Sequence, residues 1–113
     1  MSGISTHVLD LTRGTPAAGV VVRLSRLADG VWTEVAALVT DEDGRVKSLP
    51  EERARLTRGQ YRLHFETGEY FRRLGSSCFH PYIEVVFEIA DPAENHHVPL
   101  LLTPFGYSTY RGS

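Results

Sequence analysis

Alternation of apolar and polar residues at every second position recurs so often here that little but a layered β architecture can accommodate it. Near the end of the chain, Val98, Leu100 and Leu102 share one face of a segment whose other face carries His97, Pro99 and Leu101. At its start, Ile4, Thr6 and Val8 oppose Ser5, His7 and Leu9. Between these, Val20, Val22 and Leu24 point inward with Arg23 and Ser25 outward. Tyr61, Leu63 and Phe65 follow, then Ile83, Val85, Phe87 and Ile89. A period of two puts each set on one side of an extended strand. The runs are separated by turn chemistry at Arg13–Pro16, Ala28–Gly30, Asp41–Gly44, Asp91–Glu94 and Pro104–Gly106.

The predicted strands are Ile4–Leu11, Gly19–Leu27, Val31–Thr40, Arg45–Leu49, Gln60–Glu66 and Phe79–Ala90, with two more in the last seventeen residues. One short helix is expected from Thr67, as N-cap, to a stop at Gly75. Glu69 lies early in it, and Arg72 and Arg73 lie late. Leu49–Arg58 has helical end signals but too few apolar residues to bury a stripe, so it reads as a loop with at most one helical turn. Seven or eight strands with one small helix predict an antiparallel β-sandwich. Pro99 fits an inner strand poorly, because proline donates no ladder hydrogen bond. It predicts an edge or a local irregularity beside His97.

A length of 113 residues suits one domain over 1–113, and 42% hydrophobic with 23% charged residues suits a soluble one. A formal charge of −2 gives no reason to expect nucleic acid or an anionic membrane surface as partner. A lone cysteine, Cys78, forms no internal disulfide and fits a reducing compartment. The first residues lack a signal peptide's basic and apolar regions, and no apolar run approaches a membrane span. The expectation is a cytoplasmic protein.

Five histidines are the obvious carriers of chemistry. His64, between Leu63 and Phe65, falls on a solvated face. His80 sits at a strand boundary, and His96 shares the parity of Val98 and reads as structural. Adjacent His96 and His97 point to opposite strand faces and cannot chelate one ion, so no metal is expected. His7 and His97 each lie opposite an apolar set. Singly, each reads as a surface histidine and Arg45 as a residue after an Asp-Gly turn. As a pair of imidazoles, suited to proton transfer near neutral pH, the two histidines support a small-molecule site and nothing sharper.

Three motifs sharpen this reading. Ser5-Thr6-His7-Val8-Leu9-Asp10, Asp43-Gly44-Arg45 and the terminal run HVPLLLTPFGYSTYRGS (97–113) occur in order along nearly the whole chain. Together they resemble the signatures of the 5-hydroxyisourate hydrolases, and the closing Tyr-Arg-Gly-Ser is the most specific of them. The resemblance implies a transthyretin-like sandwich of two four-stranded sheets, assembled as a homotetramer with its sites in a channel where two dimers meet. It also implies hydrolysis of a purine-derived ring without a cofactor. By motif, it assigns catalytic roles to His7, Arg45 and His97, and substrate binding to His7, Arg45, Tyr110, Arg111, Gly112 and Ser113. Two other functions compete. A thyroid-hormone-type carrier of this fold lacks the two motif histidines and the Tyr-Arg-Gly-Ser end. Adhesive immunoglobulin-like modules are often secreted and in tandem.

Overall fold

The computed structural model describes residues 3–49 and 56–113. The alternating segments fold as strands: β1 (Gly3–Asp10), β2 (Thr15–Pro16), β3 (Val21–Ala28), β4 (Val31–Val39), β5 (Arg45–Leu49) and β6 (Gly59–Phe65). Helix α1 (Thr67–Arg73) follows, then β7 (Ile83–Ile89), β8 (Asn95–Thr103) and β9 (Gly106–Thr109). They form two sheets. One runs β4-β3-β6-β7; in the other, β1 is flanked on one side by β5 and the two-residue β2, and on the other by β8 and then β9. The predicted sandwich is present, and one pairing in it is parallel: β1 with β8, from Gly3↔Asn95 to Asp10↔Leu102.

The inward faces are those the alternation predicted. Ile4, Val8, Val98, Leu100 and Leu102 of one sheet meet Val22, Leu24, Tyr61, Leu63 and Phe65 of the other, nearly all without solvent contact. Thr6 is tolerated among them because its hydroxyl donates to the carbonyl of Val98 at 2.6 Å, so its own buried oxygen is not left unpaired. Ser25, expected outward, is buried. The β3–β4 register shifts between Leu24 and Ser25, and such an irregularity breaks the alternation.

Other boundaries moved for identifiable reasons. The helix N-cap is Glu66, and Thr67 is the first helical residue, its buried hydroxyl without a hydrogen-bond partner among the described residues. The strand expected from Phe79 begins at Ile83. The backbone before it is engaged elsewhere: Phe79 N–H donates to Pro104 at 2.7 Å, and the Pro81 carbonyl accepts from Gly68 at 3.1 Å. The loop expected over Leu49–Arg58 falls largely on 50–55, outside the described residues. Pro99 lies in the inner strand β8. The irregularity is there: pairing with the tail stops at Leu100↔Thr109 and resumes as a single bridge, His97↔Gly112.

Asp10 closes the fold behind β1. Its carboxylate is buried and accepts from Tyr70 Oη at 2.7 Å and from the backbone N–H groups of Thr12 and Arg13 at 3.0 and 3.2 Å. Burial and the adjacent carboxylate push the Tyr70 phenol up to about 12, so it stays a donor. Tyr70→Phe is expected to cost about 1–3 kcal/mol, because the buried Asp10 loses a hydrogen-bond donor. Urea denaturation checks this, and an unchanged midpoint would show that Asp10 is satisfied without it.

Candidate functional site

The outward face of the β5–β1–β8–β9 sheet gathers the polar residues that the inward face excludes. On β1, Ser5 and His7 are two residues apart and share this face. The parallel register sets Ser5 beside His97 and His7 beside Pro99, and the antiparallel pairing with β5 sets Arg45 opposite His7. Two neighbouring rungs result: Ser5–His97–Gly112 and Arg45–His7–Pro99.

Each side chain is held. His7 Nε2 lies 2.9 Å from the Asp43 carbonyl, and His97 Nδ1 lies 2.8 Å from Ser5 Oγ. The turn carrying Asp43 is fixed by the Asp41 carboxylate, which accepts from the N–H groups of Asp43 and Arg45 at 2.9 and 3.0 Å. These bonds, that from Arg45 first, hold the Asp41 carboxyl below its usual range. Gly44 in the same turn has φ +73° and sits against the Val8 carbonyl, where a Cβ would collide. That position therefore requires glycine, and it delivers Arg45 to the face. At the other end, Gly112 N–H donates to the His97 carbonyl at 2.8 Å. A Cβ on Gly112 would come 2.5 Å from His97 Cδ2.

A cavity of about 350 Å³ opens on this face, lined by Ser5, Arg45, Lys47, Asn95, His97 and Ser113 among others. His7 stands one rung along and is not part of its lining. Of the predicted tail residues, Ser113 reaches the cavity and Gly112 backs His97. Arg111 pairs instead with Glu94 at 3.4 Å and with the Asn95 carbonyl at 3.3 Å, and Tyr110 is largely exposed. Both border a second cavity, of about 220 Å³, together with residues of β7 and with His97, which lines both cavities. One chain therefore brings Arg45, His97 and Ser113 together with His7 adjacent, and leaves Tyr110 and Arg111 outside that first cavity, on the other side of His97. Ser5, Lys47 and Asn95 were missed, although Ser5 could have been found from its shared parity with His7.

The remaining histidines have other surroundings. His64 lies between Glu66 and Glu84 and stacks on Tyr82, His80 packs against Phe79 and Tyr107, and His96 is buried. Among the described residues, no three His, Cys, Asp or Glu side chains cluster as metal ligands.

Burial first, then the charges of Arg45 and His7, hold the His97 imidazole below its ordinary value of 6.5. At pH 7 the ring is neutral. The unfolded chain then protonates His97 at higher pH than the folded one does. Its contribution to stability is complete above about 6.5 and declines as pH falls towards the folded value. An NMR titration is expected to place the His97 midpoint below 6.5, and Arg45→Ala is expected to raise it. A midpoint insensitive to Arg45→Ala would separate the two groups electrostatically.

A two-sheet sandwich with an ionisable cluster on its outer face is the class of protein that fold and site define. Comparison with known proteins makes this specific. The model of the HIUase/Transthyretin family matches residues 4–112. The 5-hydroxyisourate hydrolase of Salmonella dublin is 47% identical over 110 residues, covering 97% of this chain and 80% of its own. The structure of Klebsiella pneumoniae 5-hydroxyisourate hydrolase matches with a TM-score of 0.87 at 42% identity over 100% of both chains. Sea bream transthyretin in complex with thyroxine matches with a TM-score of 0.89 at 38% identity, over 97% and 94% of the two chains. This chain belongs to the HIUase/transthyretin family. Backbone similarity alone does not separate its hydrolase and carrier branches, since both superpose about equally well.

Proposed function

We propose that this protein hydrolyses 5-hydroxyisourate, opening the six-membered ring at the N1–C6 amide to give 2-oxo-4-hydroxy-4-carboxy-5-ureidoimidazoline. The observation that carries the reading is the pair of adjacent rungs with His7, Arg45 and His97 on one outward face, beside a cavity that the chain's last residue enters. The relationship to named hydrolases at 47% and 42% identity supports it.

In this reading a histidine, His7 by preference, accepts a proton from water as its oxygen attacks C6. Arg45 holds the anionic substrate and stabilises the charge that develops on the carbonyl oxygen. The C6–N1 bond then breaks and N1 takes a proton. Ser113 and the end of the tail fix the ring by hydrogen bonds, and no cofactor is called for, since the bond is cleaved by water alone. The reaction belongs to urate breakdown in the cytoplasm.

The working unit in this reading is a homotetramer, a dimer of dimers with the site in a channel between dimers. Two features support assembly. The functional face is open in one chain, with Leu9 and Leu101 only half-buried on it. Leu11, Phe79, Phe105 and Tyr107 are large apolar residues left exposed. Such an assembly gives Tyr110 and Arg111 a route to the Arg45–Ser113 cavity, which they do not line within one chain.

The test is to generate 5-hydroxyisourate from urate with urate oxidase and follow its ultraviolet decay with and without this protein. Acceleration over the spontaneous rate is expected. An unchanged decay, with thyroxine bound instead, would favour the carrier reading that the sea bream structure raises.

A further inference from the structure

We propose, building on the ring-opening reading, that Ser5 is a positioning residue: its hydroxyl holds His97 with the ring proton on Nε2, so that His97 donates a hydrogen bond to the substrate and His7 alone carries the proton. The two histidines have unlike partners, and those partners decide the tautomers. The group 2.9 Å from His7 Nε2 is the Asp43 carbonyl, which can only accept. Nε2 therefore bears the hydrogen, and neutral His7 has its lone pair on Nδ1, which makes no hydrogen bond among the described residues. The arrangement at His97 is reversed. Its Nδ1 lies 2.8 Å from Ser5 Oγ, and that hydroxyl has no other acceptor among the described residues. By donating to Nδ1 it satisfies both groups and leaves the hydrogen on Nε2.

The bond is built into the sheet. Ser5 and His97 are direct neighbours across the parallel β1–β8 pairing, and Gly112 stands at His97's other side with room for no Cβ. The ring is confined on both sides. Burial and the charge of Arg45 keep it neutral as well. A neutral imidazole is a weak acid but a good N–H donor, suited to polarising a carbonyl without surrendering its proton. The division of labour follows. Water's oxygen bonds to C6 while His7 Nδ1 takes its proton, and the oxyanion is met by His97 Nε2–H and Arg45. The C6–N1 bond then breaks with its electron pair on N1, which receives the proton back from His7 Nδ1. Both rings end as they began, and the new carboxyl group ionises to solvent.

Long-range ¹H–¹⁵N spectra of the substrate-free protein read the tautomers directly. Wild type is expected to show His97 protonated on Nε2 and His7 likewise. Ser5→Ala is expected to mix the His97 tautomers, and Ser5→Thr, which keeps the hydroxyl, to restore the single form. In the ring-opening assay Ser5→Ala should lose about tenfold in kcat with KM little changed, and Ser5→Thr should recover most of it. A wild-type His97 protonated on Nδ1, a tautomer unmoved by Ser5→Ala, or full turnover in that variant would each overturn the proposal. The spectra need no substrate, so a failed assay with wild-type protein would refute the hydrolase reading while the tautomer result stood apart from it.

Discussion

His7→Ala is expected to lose at least roughly 10²-fold in kcat, the scale of a general acid–base group, while unfolding at nearly the wild-type denaturant concentration. The two outcomes separate because of where the side chain stands. His7 is on the outward face of β1, and its side chain is hydrogen-bonded to the Asp43 carbonyl at the surface. Val8 and Thr6, its neighbours in sequence, carry the core. Truncation therefore removes a proton acceptor and almost no packing. His97→Ala should fall similarly in kcat, and the double variant should be little worse than either single one, because groups that act as a unit on one transition state are not additive. Steady-state kinetics on the three variants, beside urea denaturation, make the comparison. Near-wild-type turnover in His7→Ala would remove that residue from the mechanism.

That His7 could be singled out before any coordinates reflects which constraints are local. Inward and outward parity follows from the sheet's period, so Ile4, Val8, Val98 and Leu100 and their opposite numbers Ser5, His7 and His97 were assigned correctly. What parity cannot supply is the partner strand. The contact that makes a site of these residues is β1 beside β8, a parallel pairing of segments ninety-two residues apart, and nothing in either segment's alternation specifies it. Motif resemblance supplied that proximity instead.

Asp10 was invisible for the same reason. A carboxylate ending a strand reads as solvated, and only the distant Tyr70 and the backbone turn after it make burial tolerable. The tail was half legible. Treating its four residues as one unit overlooked that Glu94, just before β8, would engage Arg111. Gly112 was the informative member, because the need for a residue without a Cβ is set by contact with His97.

Removing Tyr110–Ser113 is expected to abolish measurable turnover and leave the sandwich standing. None of the four residues belongs to the core, whose members from the final segment are Val98, Leu100 and Leu102. The deletion gives up the Gly112–His97 backbone bond and an exposed Arg111–Glu94 pair, and such a pair contributes about 1 kcal/mol at most. The loss at the site is larger in kind. Ser113 leaves the cavity, and His97 loses the neighbour that confines its ring from one side. Gly112→Val separates these two effects. It keeps Ser113 in the chain but forces a side chain into the place of His97 Cδ2, so it should also lose most activity, with a disturbed His97 resonance as its signature. If the truncated protein turned over normally, neither the terminus nor the confinement of His97 would matter to the reaction. If only Gly112→Val remained active, the terminal residue itself, rather than the packing behind the imidazole, would be what the substrate requires.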